Sequence, residues 1–183
     1  LGLGMQSTFN DIVSGIILLI EGSVRVGDVL EVDGLVGRVT EINLRTSTIF
    51  SRDGMNVIVP NHNFINENVV NWSHNAVETR FHITVGVAYG SDENVVKDIL
   101  MACAMAHPMV IVDDKEHPVV VRLADFGDSA LMYELFFWSQ RIFRIENVKS
   151  DIRFAILRKF REAGVMIPFP QRDVHLVPTA PNA

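Results

Sequence analysis

Apolar and polar residues follow three different rhythms along this chain. Residues 1–20 hold no Lys or Arg and a single acid, Asp11, and 12–20 is apolar apart from Ser14 and Gly15. That run is shorter than the roughly 20 apolar residues that cross a bilayer. The whole stretch still reads as a helix, about 30 Å long at ~1.5 Å per residue. Gly2, Gly4, Ser7 and Gly15 are small, while Gln6, Asn10 and Ser14 fall four apart and share a face. Small residues let helices approach closely, and polar side chains at membrane depth face a bundle interior or water. A ring of such helices around an aqueous path fits both features. So does a buried helix of a soluble domain whose polar groups are satisfied. Composition leaves the two open.

Between 22 and 72 the rhythm is that of short strands. Asp33-Gly34 separates strand-like 29–32 from 35–39, and Asp53-Gly54 separates 46–51 from 55–59. Asp-Gly between such runs signals a hairpin, because both residues tolerate positive φ. Pro60-Asn61 should end the fourth strand, since Pro donates no ladder bond. Phe64-Ile65 reads as a short helical turn and 69–72 as a fifth strand. This many short strands in about fifty residues predict a small barrel or sandwich.

From 80 onward strands and helices mix. Alternation predicts a strand at 81–87, with further strands at 119–123 and 131–138. Ser91-Asp92-Glu93 opens a helix whose apolar face is Val95, Val96, Ile99, Leu100 and Cys103, closed by Pro108. Ile145, Val148, Ile152, Ile156 and Phe160 recur every three or four residues, and Gly164 reads as the C-terminal cap of that second helix. A last strand is expected at 165–169. The order β-α-β-β-α-β resembles a ferredoxin-like split unit. A short extended piece follows at 174–176. The chain thus divides into a helix at 1–21, a β domain at 22–72, an α/β domain at 73–176 and a frayed tail at 177–183.

Composition narrows the chemistry. A 48% hydrophobic content excludes a disordered chain, and a net charge of −6 disfavours a nucleic-acid surface. The single cysteine, Cys103, allows no intrachain disulfide and reads as a small buried residue. The histidines at 62, 74, 82, 107, 117 and 175 form no metal-ligand spacing with Cys or with one another. No nucleophile elbow, phosphate loop or dinucleotide fingerprint occurs. Asp125 and Asp128 beside Ser129 read as a turn, 113–116 as a solvated charged loop, and His82 as an outward strand residue. Lys149, Arg153, Lys159 and Glu162 mix signs and read as a solvated helix face. Neither a catalytic residue nor a metal site is expected. The chain begins at Leu1 rather than Met, and so reads as a piece of a longer protein.

In this order the segments resemble the MscS-type, or small-conductance, mechanosensitive channels, over 2–176. Gly2-Leu3-Gly4-Met5-Gln6 through Gly15-Ile16-Ile17-Leu18-Leu19 is similar to the family's pore-lining helix and its kinked continuation. Arg25-Val26-Gly27-Asp28, Gly34 with Gly37, and Val57-Ile58-Val59-Pro60-Asn61 resemble its Sm-like β domain. Gly86-Val87-Ala88-Tyr89 with Ser91-Asp92 resembles the start of its α/β domain, and Ala163-Gly164-Val165 with Ile167-Pro168-Phe169-Pro170-Gln171 the end. The resemblance implies an α+β fold class: an N-terminal pore-lining transmembrane helix, a small Sm-like β-barrel domain and a ferredoxin-like α/β domain with a C-terminal barrel strand. It implies a homoheptamer in contact with membrane lipid in the bacterial inner membrane, most of this stretch lying on the cytoplasmic side. The activity implied is opening under membrane tension to release ions and small solutes in hypo-osmotic shock. No cofactor, no nucleic acid and no small-molecule substrate beyond permeating ions and solutes is implied.

Carried onto this chain, the family pattern makes Leu3 a pore-constriction residue, where a ring of apolar side chains dewets and stops ions. Gln6 and Asn10 become polar pore-lining residues. Ser7 stands where the family often has a hinge Gly, and Gly15 matches the second hinge. Ser forms helix better than Gly by a few tenths of a kcal/mol, so any bend is expected nearer Gly15. Asp11 and His62 are expected to meet in a charge-assisted bond that couples pore helix to vestibule. The competing class is a soluble Sm-like RNA-binding module. Against it, Arg25, Arg38, Arg45 and Arg52 in the β region face Asp28, Glu31, Asp33, Glu41, Asp53 and Glu67. Nor is there a basic-aromatic stacking stripe.

Overall fold

The computed structural model describes residues 2–73, 78–112 and 115–175, with side chains from Met5 onward. The chain opens with α1 (Gly2–Glu21), one uninterrupted helix. Gly22, at φ +63°, stops it, and its N–H donates to Leu18 O at 3.0 Å. A left-handed residue just past a helix end satisfies its last carbonyls, and Gly reaches it without a Cβ clash.

A five-stranded antiparallel sheet follows: β1 (Val29–Val32), β2 (Leu35–Ile42), β3 (Thr46–Ser51), β4 (Asn56–Pro60) and β5 (Val70–Asn71). Its order is β4-β3-β2-β1-β5, with the one-turn helix α2 (Asn63–Asn66) between β4 and β5. Asp33 and Gly34 both take positive φ, +51° and +73°, in the two-residue turn expected of Asp-Gly. At Asp53-Gly54 only Gly54 does, at +83°, and the turn is longer: Ser51 N donates to Met55 O at 2.8 Å. Gly37 has no room for a side chain, because a Cβ there would stand 2.3 Å from Ile49 Cγ2. Leu18 of α1 joins Leu30, Val32, Val39, Ile49 and Phe64 in one buried core.

The second unit holds β6 (Thr79–Val87), α3 (Glu93–Met105), β7 (Val120–Phe126), β8 (Leu131–Ser139) and α4 (Ile145–Ala163). β8 lies between β6 and β7 and is antiparallel to both, so β6 and β7 run parallel. Both helices contribute to a core with Ile83, Leu100, Leu135, Phe137, Ile152 and Phe160. The predicted helix signals are present. Asp92 accepts from the N–H groups of Asn94 and Val95, and Gly164 closes α4 at φ +70°. Val95 is a correction: it sits 38% exposed, and Val96, Leu100 and Cys103 carry the buried face without it.

Two larger expectations are revised. The last strand, at 165–169, does not form. One bond, Ala88 N to Met166 O at 2.9 Å, ties that segment to the end of β6, and Met166, Ile167 and Phe169 stay exposed. Pro168 and Pro170 remove the donors that would extend a ladder. Residues 174–175 are likewise outside any strand, and 176–183 lie outside the described residues. The N-terminal helix forms, but no helix among the described residues is long and apolar enough to cross a membrane. Gln6, Ser7, Thr8, Asn10, Asp11 and Ser14 interrupt the apolar run of α1, and its buried side packs on the β unit instead.

The two units meet along a seam. Trp72 stacks on Phe81, ring centroids 6.0 Å apart and planes 7° from parallel. Arg52 Nη2 donates to Ile142 O at 3.3 Å, and Phe50 lies 6.3 Å from Phe143.

Candidate functional site

The junction of α1 with the β sheet brings together buried Asp11, Ser14, Ser47 and Asn61. β4 ends at Pro60, and the next residue, Asn61, is fully buried. Its Oδ1 accepts from Ser47 Oγ at 2.8 Å and its Nδ2 donates to Asn43 O at 2.8 Å. Its backbone N–H donates to Arg45 O at 3.0 Å. One asparagine therefore pins the β2–β3 turn at three points. A buried amide needs such partners, since each unsatisfied group costs about 1–3 kcal/mol.

That turn is the surface on which α1 rests. A Cβ on Gly15 would stand 2.2 Å from Leu44 O and 2.5 Å from Asn61 Nδ2. Gly15 thus lets the helix touch the turn backbone. One turn earlier, Asp11 is buried and its Oδ1 meets His62 Nδ1 at 2.6 Å and His62 N at 3.4 Å. One turn later, Leu18 enters the β core, 1% exposed. Asp11, Ser14, Gly15 and Leu18 form one side of α1, spaced three and four apart.

The opposite side is bare. Met5, Phe9, Ile16 and Ile20 form an exposed stripe, Phe9 at 66% and Ile20 at 79%. Gln6, Ser7 and Asn10 are exposed as well. The Leu3 side chain lies outside the described residues. The structure therefore brings Asp11, His62 and Gly15 together and leaves Gln6, Ser7 and Asn10 on solvent-facing surface. Sequence reasoning missed the part played by Asn61, Asn43, Leu44 and Ser47. The Pro-Asn pair after a strand marked the position, but only the fold shows what the amide grips. No group of His, Cys, Asp and Glu among the described residues is arranged to hold a metal.

Residues 7–74 match the mechanosensitive ion channel β-domain, and residues 81–167 match the C-terminal domain of the mechanosensitive ion channel MscS. Both units are thus of a kind found in ion channels rather than enzymes. The chain belongs to the MscS family. An uncharacterized MscS family protein of Haemophilus influenzae is 37% identical over 176 residues, 96% of this chain and 16% of that protein. The mechanosensitive channel MscK of Escherichia coli is 36% identical over 96% of this chain and 15% of its own length. The chain therefore spans only about a sixth of these relatives. Helicobacter pylori MscS in its closed state superposes with a TM-score of 0.85 at 28% identity, covering 97% of this chain and 68% of that one. These matches give the RNA-binding alternative no support.

Proposed function

We propose that this chain is the pore-proximal and vestibule part of a mechanosensitive channel subunit. In this reading it assembles as a homo-oligomer, a heptamer by the family pattern, in a bacterial inner membrane, with most of residues 22–176 on the cytoplasmic side. The β unit takes the Sm-like role and the α/β unit the ferredoxin-like role, dividing near 72. Leu3 contributes the constriction, Gln6 and Asn10 line the path, and Ser7 or Gly15 absorbs any bend. The protein is not an enzyme. It opens under membrane tension and passes ions and small solutes.

The observation that carries the reading is the two-sided α1. One side is fixed to its own β unit through Asp11, Gly15 and Leu18, while Met5, Phe9, Ile16 and Ile20 are left exposed along the other. Exposed apolar stripes mark association surfaces. Copies of α1 packed on one another would cover this one and close a ring. The test is light scattering of the detergent-solubilised chain, beside its F9D/I16E variant. A large oligomer that the variant abolishes, with the fold intact by circular dichroism, is expected. A monomeric wild type would overturn the proposal.

A further inference from the structure

The seam between the two units encloses a cleft of about 460 Å³. Arg38 of β2, Phe50 of β3 and the loop before α4, with Gln140, Arg141, Phe143 and Arg144, line it. In a chain of net charge −6, this cleft is lined by three arginines. We propose that it is a binding site for a soluble phosphate-bearing anion, an organic phosphate or diphosphate.

Arg38 Cζ lies 5.2 Å and Arg144 Cζ 5.5 Å from the centroid of one ring, that of Phe143. Attraction to the ring face positions each cation but does not neutralise its charge. Among the described residues, no ion pair involves Arg38, Arg141 or Arg144. Arg141 Nε finds only a thioether, Met109 Sδ at 3.4 Å, a weak acceptor. Glu78 accepts from Gln140, another lining residue, at 3.0 Å. Asp151 shares an adjoining groove with Arg141 and Arg144, but faces His107 at 3.6 Å.

The loop that carries two of these arginines is held in place. Arg52 grips its Ile142 carbonyl, and Ile142 itself is buried. Guanidinium forks pair in a planar, two-point geometry with phosphate as with carboxylate, and a phosphate has further oxygens and charge left for a second arginine. Three arginines lining one cleft favour an anion with more than one charge. The half-buried rings of Phe50 and Phe143 supply an apolar wall for an organic group. Nucleic acid is disfavoured by the acidic balance of the rest of the chain. The inference is independent of the channel reading, because it concerns only the seam.

Calorimetric titration of the 183-residue chain with inorganic diphosphate tests it. Saturable binding is expected, weakening with salt as exposed charge pairs do. R38Q/R141Q/R144Q should lower the affinity at least tenfold, and R38K/R141K/R144K, which keeps charge but loses the fork, should fall between. If the triple Gln variant does not fold, R141Q and R144Q alone, both at exposed positions, should each weaken binding several-fold. A second arm uses phosphatidylglycerol vesicles in flotation. No saturable diphosphate binding, equal affinity in the Gln variants, or an arginine dependence seen only with vesicles would each overturn the proposal.

Discussion

At the scale of single residues, Gly15 poses a contest between two effects of opposite sign. Helix propensity favours Ala over Gly by about 1 kcal/mol. Sterics oppose it, because the added methyl would meet the Leu44 carbonyl oxygen at 2.2 Å, and that oxygen belongs to a turn pinned by Asn61. A pinned backbone cannot yield, and overpacking costs about 1–3 kcal/mol. G15A should therefore destabilise the docking of α1 by about 1–2 kcal/mol. Hydrogen exchange of the amides at 11–18 would report this as faster opening. Unchanged protection with a raised denaturation midpoint would show that the helix does not rest on the turn. This residue also shows what a sequence hides. A glycine in a helix reads equally as a hinge or as a close approach, and only the oxygen facing it distinguishes them. Asp11 and His62 were legible because the family pattern paired them. Asn61 was visible as a position but not as a clasp, since its partners lie 14 and 18 residues away in the chain.

At the scale of elements, local chemistry was the most readable. The Asp-Gly turns, the Asp92 cap, the periodicity of α4 and the Gly164 stop each depend on residues within one or two turns, so the sequence states them directly. The segment at 165–169 had the right composition for a strand but lacks a ladder, because pairing depends on what lies beside it and two prolines deplete its donors. Cys103 tests the packing of α3 on α4. Burial pushes its thiol up, outweighing the lowering effect of Lys159 and Arg158. A raised thiol keeps its proton at neutral pH, where the thiolate is the reactive form. Its contribution to stability is fully present below the unfolded-state value and is lost as pH rises through that range. Alkylation by iodoacetamide at pH 8 should be at least tenfold slower in the folded protein than in urea. Equal rates would mean that the helix pair opens freely.

At the scale of the whole molecule, the question is how a motion of α1 reaches the rest of the chain. The helix has one fixed side and one bare side, so whatever displaces it must strain the fixed contacts. Of these, Leu18 is a non-directional apolar contact and Gly15 a steric one. The Asp11–His62 bond is directional, and two donors converge on a single carboxylate oxygen: the ring Nδ1 at 2.6 Å and the backbone N–H at 3.4 Å. The geometry fixes an order among variants. H62A deletes the ring but leaves the longer backbone bond, whereas D11A deletes the acceptor of both. Hydrogen bonds to charged groups contribute about 1.5–3 kcal/mol, and the part-exposed ring should sit toward the lower end. In a full-length subunit carrying this chain, patch recording should show inactivation altered several-fold by D11A and less by H62A, and the double variant should resemble D11A alone. A double variant whose effect equals the two singles added together would mean that the residues act separately. H62A with inactivation unaltered would mean that the ring's bond carries no load, and that Gly15 and Leu18 matter more in tying the helix to the β unit.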